Sequence, residues 1–86
     1  VKILSEHKLK EINESVPKLV GEQIRKFRKC KKLSQTELAK LVDKDRQYLY
    51  KIEKGLVKPN IVTLSVLALA LEVELSELLR EVKLSK

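Results

Sequence analysis

Only two glycines, two prolines, one cysteine and one histidine occur among these 86 residues, and each scarcity excludes something. A single cysteine, Cys30, forbids an internal disulfide, and with His7 as the only histidine the ligand set of a structural zinc site is missing as well. Cys30 is read as an inert thiol, with a redox switch as the alternative. His7 lies among polar residues with no nucleophile beside it. No Ser-His-Asp set, phosphate-cradling glycine loop or pair of carboxylates in an apolar setting is found. Neither catalysis nor a metal or other cofactor is therefore expected. The few glycines and prolines, and the lack of any sustained alternation of polar and apolar residues, exclude a strand-rich chain and predict an all-α fold. The length suits one small domain with a modest core. With no membrane-spanning run, signal peptide or low-complexity segment, the expected location is the cytoplasm.

What the chain does have is positive charge in one place. The formal net charge is +7, and residues 24–58 carry twelve Lys or Arg against four Asp or Glu. Residues 1–23 carry four of each sign, and residues 59–86 carry three basic against four acidic. The whole excess sits in the middle of the chain, the distribution expected where phosphates are neutralised and counterions released. Attachment to a membrane surface is not expected, because the basic stretch lacks a broad apolar face.

The same segment carries helix punctuation. Ser34 precedes Glu37 by three residues, a capping box that starts a helix near Gln35. Leu38, Ala39 and Leu41 or Val42 follow at helical spacing, and the small Ala39 permits close approach of a second helix. Asp43, Lys44 and Asp45 break that helix. Asp45 is placed to cap a second one that runs to Lys54, with Gly55 suited to the left-handed residue beyond its end. At about 100° per residue, Leu49 and Ile52 point one way, while Arg46, Gln47, Tyr50, Lys51 and Lys54 occupy the opposite arc. Tyr48 and Glu53 lie at the borders. A solvated polar face would look similar, but this one coincides with the charge excess. Arginine can donate two hydrogen bonds to a guanine edge and glutamine can pair with an adenine edge.

From Gly21 to Leu79 the chain resembles the phage repressor and Cro class of helix-turn-helix proteins, the XRE family. The matching residues, in order, include Gly21, Ile24, Arg25, Arg28, Leu33 to Gln35, Glu37 to Ala39, Tyr48, Ile52, Glu53, Gly55, Pro59, Thr63, Leu64, Leu67, Ala68, Ala70, Leu71, Val73, Glu77 and Leu78. The resemblance implies a compact five-helix bundle of the lambda-repressor type, with an N-terminal extension that could supply an additional helix. It also implies roles. Arg46, Gln47 and Lys51 would read base edges in the major groove of double-stranded DNA. Gln35, Thr36, Lys44, Tyr48, Tyr50, Lys54, Lys58 and Arg25 would contact the backbone or groove, and Arg28 with Glu53 would form a structural pair. Two departures stand out: Asp43 and Lys44 replace the usual glycine and small apolar residue of the turn, and Lys32 stands where glycine or asparagine is common. Aspartate tolerates the left-handed conformation better than most residues.

The expected organisation is an extension over residues 1–15, a DNA-binding domain over 16–82 and a tail over 83–86. The first helix is expected from about Pro17 to Lys31, a fourth from the Asn60 cap through Leu71, and a fifth from about Leu75 to Val82. Ile61, Leu64, Leu67, Ala68 and Leu71 form the fourth helix's core stripe. A second apolar stripe, Val62, Val66, Leu69 and Val73, spans about 60° on its opposite side. The extension, with Leu9, Ile12 and Val16 at helical spacing, or the fifth helix of a second subunit, is expected to cover it. The alternative places helix four centrally in a larger monomeric bundle. Val62, Val66, Leu69, Leu75, Leu78, Leu79 and Val82 are thus the candidate dimer or packing surface. The function read from the chain is a dimeric repressor on a palindromic operator. Alternatives are an antitoxin or adaptor that binds a protein partner, or a restriction-modification controller.

Overall fold

The first four helices each begin where a short polar side chain supplies an acceptor for an orphan backbone N–H. In the computed structural model, which describes residues 3–84, the order is α1 (Glu6–Cys30), α2 (Gln35–Leu41), α3 (Arg46–Glu53), α4 (Ile61–Leu71) and α5 (Leu75–Leu78). No strand occurs among the described residues. The Ser34 hydroxyl accepts from the Glu37 N–H at 3.0 Å, and the Glu37 carboxylate accepts from the Ser34 N–H at 2.8 Å. These bonds hold the Glu37 carboxyl below its ordinary pKa, so the capping box is complete at neutral pH and opens as acid protonates it. Asp45 and Asn60 cap α3 and α4, each accepting at 2.8 Å from the N–H three residues on.

The helix ends share a second device. Lys32, Asp43, Gly55 and Glu72 all have positive φ, between 57° and 74°. The next N–H in each case returns to a carbonyl five residues back: Leu33 to Arg28, Lys44 to Ala39, Leu56 to Lys51 and Val73 to Ala68, at 2.8–3.1 Å. These bonds satisfy carbonyls that the helix end would otherwise orphan. Asp43 and Gly55 take the conformation expected of them. Lys32 takes it too, although a Cβ disfavours that region by roughly 1–2 kcal/mol.

The first helix is longer than expected. It starts at Glu6, where the Ser5 hydroxyl accepts from the Lys8 N–H at 3.1 Å, and runs through Pro17 without ending. Proline cannot donate to the Asn13 carbonyl, but Asn13 is solvent-exposed. The apolar series Ile12, Val16, Val20, Ile24 continues on one side across the proline and draws the helix through it, with Val20 and Ile24 in the core. Residues 6–15 are therefore the opening turns of α1. They do not lie over the second stripe of α4: Val62, Val66 and Leu69 remain 67, 42 and 80 % exposed. Ile61, expected in the core, is also exposed at 59 %, since it sits at the first turn of α4 ahead of the packed residues. The fifth helix stops at Leu78, and tight turns carry the chain on to Val82.

Ile24, Leu38, Leu49, Ile52, Leu67, Leu71 and Leu78 form the fully buried centre. Leu78 thus closes the monomer core instead of offering a surface to a partner, while Leu75, Leu79 and Val82 pack against that core half-buried. Gly21 lies where α1 meets the end of α3. A Cβ there would overlap the Ile52 and Glu53 carbonyl oxygens, so only glycine allows this approach.

Beside that contact lies a buried ion pair. The Arg28 guanidinium donates to both Glu53 carboxylate oxygens, at 2.6 and 3.0 Å, and a third N–H reaches the Leu33 carbonyl at 2.7 Å. The Gln35 amide donates to Glu53 at 3.0 Å. Among the described residues no buried side-chain nitrogen or oxygen lacks a partner. Removing one member of such a pair strands the other charge, at a cost of about 3–5 kcal/mol. Glu53→Ala is expected to destabilise the domain by that amount in urea unfolding. A loss below about 1 kcal/mol, the scale of a surface ion pair, would show that the pair does not hold α1 to α3.

Candidate nucleic-acid interface

Burial of Leu49, Ile52 and Glu53 fixes the rotation of α3 about its axis. Arg46, Gln47, Tyr50, Lys51 and Lys54 are all left exposed, and Tyr48 is half-buried, as the helical projection expects. α2 packs behind α3, and its capped start opens beside the exposed face.

Between α1, the start of α2 and α3 runs an open groove of about 770 Å³. α3 contributes Arg46, Tyr50, Glu53 and Lys54; the start of α2 contributes Ser34, Gln35 and Thr36; α1 contributes Lys18, Glu22, Arg25, Arg28 and Lys29. Six of these side chains are cationic and two anionic, and one cation and one anion are committed to the Arg28–Glu53 pair. The Lys54 ammonium lies over the Tyr50 ring, 5.9 Å from its centre. This contact holds two neighbouring side chains of the face together. Gln35 spends its amide N–H on Glu53; the first backbone N–H groups of α2, at Gln35 and Thr36, have no acceptor within the helix and point out of its N-terminus.

The site residues expected from sequence thus fall into groups. Arg46, Gln35, Thr36, Tyr50, Lys54 and Arg25 share the groove. Gln47 and Lys51 occupy the adjoining outer edge of α3, about 100° and 140° around the helix from Arg46. Lys44 and Tyr48 face α4 instead, where the Lys44 ammonium lies 5.2 Å from the Tyr48 ring centre and both line a small apolar hollow with Val62 and Val66. Lys58 is separate from the groove; it borders a second apolar hollow with Val16, Pro17 and Leu64. Lys18, Glu22 and Lys29 join the groove without having been singled out in the sequence. The signal was their spacing with Arg25, at i, i+4, i+7 and i+11, which puts all four on one face of α1. That face becomes a wall of the groove only when α1 packs on α3.

Exposed apolar residues gather elsewhere. Val62, Val66 and Leu69 stand exposed on the outer face of α4, Val62 and Val66 at the rim of the hollow shared with Lys44 and Tyr48. None of the five helices is long and apolar enough to cross a membrane, and no cluster of His, Cys, Asp or Glu among the described residues is arranged to hold a metal ion.

Known proteins share this arrangement. Residues 24–78 match the helix-turn-helix family model. The immunity repressor protein of Bacillus phage phi105 is 37 % identical over 67 residues, covering 78 % of this chain and 46 % of that protein. The immF control region 10 kDa protein of the same phage is 41 % identical over 61 residues, covering 71 % of this chain and 68 % of that one. The chain thus spans about half of the first relative and about two-thirds of the second. The crystal structure of the restriction-modification controller protein C.AhdI from Aeromonas hydrophila superimposes with a TM-score of 0.69 at 37 % identity. It covers 72 % of this chain and 94 % of the controller. With its all-helical bundle, its capped two-helix motif and these matches, the chain belongs to the XRE-type helix-turn-helix family.

Proposed function

We propose that this protein is a sequence-specific, non-catalytic transcriptional repressor that binds double-stranded DNA as a homodimer in the bacterial cytoplasm. The observation that carries the reading is the coincidence of the exposed, cationic face of α3 with the groove that receives the start of α2. α3 enters the major groove. Arg46, Gln47 and Lys51 read base edges there, in a geometry that suits bidentate arginine and glutamine contacts. Arg25, Thr36, Tyr50, Lys54 and the backbone at Gln35 hold the sugar-phosphate strand that lies in the groove. Lys44 and Tyr48 touch backbone at the other border of the helix, and Lys58 meets it from the loop before α4.

One recognition helix reads too few base pairs for useful selectivity against a genome, which is the argument for two copies. The outer face of α4 supplies the surface. Val62 and Leu69 are largely uncovered by their own chain and Val66 partly so, and covering Val62 and Leu69 would contribute up to roughly 1.5–3 kcal/mol each. A two-fold pair through that face would present two recognition helices to a palindrome. A restriction-modification controller is a second reading of the same chemistry, favoured by the match along nearly the whole length of C.AhdI; it differs in the gene controlled and not in the DNA contact.

Selection from a random duplex library at about 0.15 M salt, where non-specific phosphate binding is weak, is expected to enrich a palindrome with half-sites about one helical turn apart. Arg46→Ala and Gln47→Ala should each lose roughly 1–3 kcal/mol of discrimination at their own base positions. Binding without any enriched sequence would reduce the face to an electrostatic patch. For the dimer surface, Leu69→Glu should yield monomers in sedimentation velocity with unchanged helix content. A persisting dimer would place the interface away from α4.

A further inference from the structure

We propose that α1 carries a phosphate-binding rail, made by Lys18, Arg25 and Lys29, that grips the DNA strand opposite the recognition helix's wall of the groove. The inference rests on the DNA-binding reading and extends it to two residues, Lys18 and Lys29, with no assigned role. The three cations lie within about 40° of arc on one helix face and span about 16 Å along the axis, at 1.5 Å per residue. All three line the groove. Close backbone packing sets their position: the Gly55 α-carbon abuts Lys18 so tightly that a Cβ would collide with its backbone. Lys18 therefore stands next to Lys54 at the end of α3, and Lys29 stands beside the capped start of α2.

Their charges are free to act. The ion pairs among the described residues are Lys8–Glu11, Arg28–Glu53 and Lys31–Glu72, and none uses Lys18, Arg25 or Lys29. Arg28 also lines the groove, but its charge is spent on Glu53. The rail has a definite start, because the same face toward the N-terminus carries Glu14, which has no ion-pair partner among the described residues and repels phosphate, and Glu11, which is paired with Lys8 and adds no cation. It also has one opposing charge within it. Glu22 lies four residues after Lys18 and three before Arg25, is exposed, and has no ion-pair partner among the described residues. Glu22 weakens the grip, and its removal should strengthen binding.

A phosphate contact carries no sequence information, so the rail acts on affinity and salt dependence and leaves base preference alone. The test uses the full chain and a mixed-sequence duplex longer than two helical turns, with the binding constant followed against salt. The Lys18→Gln/Lys29→Gln double variant should flatten the slope of log K against log salt by about 1.8, near 0.9 per lost phosphate contact. Glu22→Gln should raise affinity, and site selection by both variants should return the wild-type sequence. Lys83→Gln, which does not line the groove, is the control, and circular dichroism confirms folding of each protein. A wild-type slope in the double variant, or a change no larger than that of Lys83→Gln, overturns the rail while leaving the recognition helix intact. Absence of salt-dependent binding by the wild type overturns the rail together with the DNA-binding reading.

Discussion

The buried pair between Arg28 and Glu53 is the constraint on which the interface depends. It joins the end of α1 to the end of α3, and its two charges are among the least exposed polar groups in the chain. Taking two ions out of water is costly, and the attraction between them offsets that cost only when geometry is good and the remaining donors and acceptors are filled. Here they are: Leu33 receives the third guanidinium N–H, and Gln35 fills a carboxylate oxygen. The pair therefore acts as a registration device for three helices. Gly21 lets α1 reach the last carbonyls of α3, the pair locks the rotation of α3, and the polar arc from Arg46 to Lys54 is left facing out.

Charge in this molecule is divided by task. Structural charges are paired or used as caps: Arg28 with Glu53, Lys31 with Glu72, and Glu37 and Asp45 at helix starts. Of the remaining cations of residues 24–58, Arg25, Lys29, Arg46 and Lys54 line one groove. Asp43 and Asp45 bring negative charge near that site, yet Asp45 already accepts from the Tyr48 N–H and Asp43 sits in the left-handed turn between α2 and α3. The Asp45 carboxylate serves the backbone of the motif, and the turn keeps its shape at Asp43 without the usual glycine.

Local features were the legible ones. The Ser34–Glu37 box, the Asp45 and Asn60 caps, the left-handed Asp43 and Gly55, and the two-sided pattern of α3 depend on residues within one or two turns, so the sequence alone places them. The start of α1 misled, because proline is favoured in a first helical turn and Pro17 reads as a beginning; the Ser5 cap and the apolar series that crosses the proline outweigh it. The resemblance anticipated the Arg28–Glu53 pair, whereas the third and fourth bonds around it require the fold. The groove was the least legible. Lys18 and Lys29 gain their place only through contact between helices that are distant in sequence, and the second stripe of α4 was visible without any indication that its own chain leaves Val62, Val66 and Leu69 exposed while Val73, beyond the helix end, packs on the core.

The measurement that tests this account most directly is an NMR titration of the isotope-labelled chain with the selected duplex, following every backbone amide. The account places the shifts at Gln35 and Thr36, through residues 46–54, and along the Lys18–Lys29 face of α1, with the outer face of α4 occupied by the partner subunit and indifferent to DNA. Shifts concentrated on Val62, Val66 and Leu69, with the groove unaffected, would contradict it.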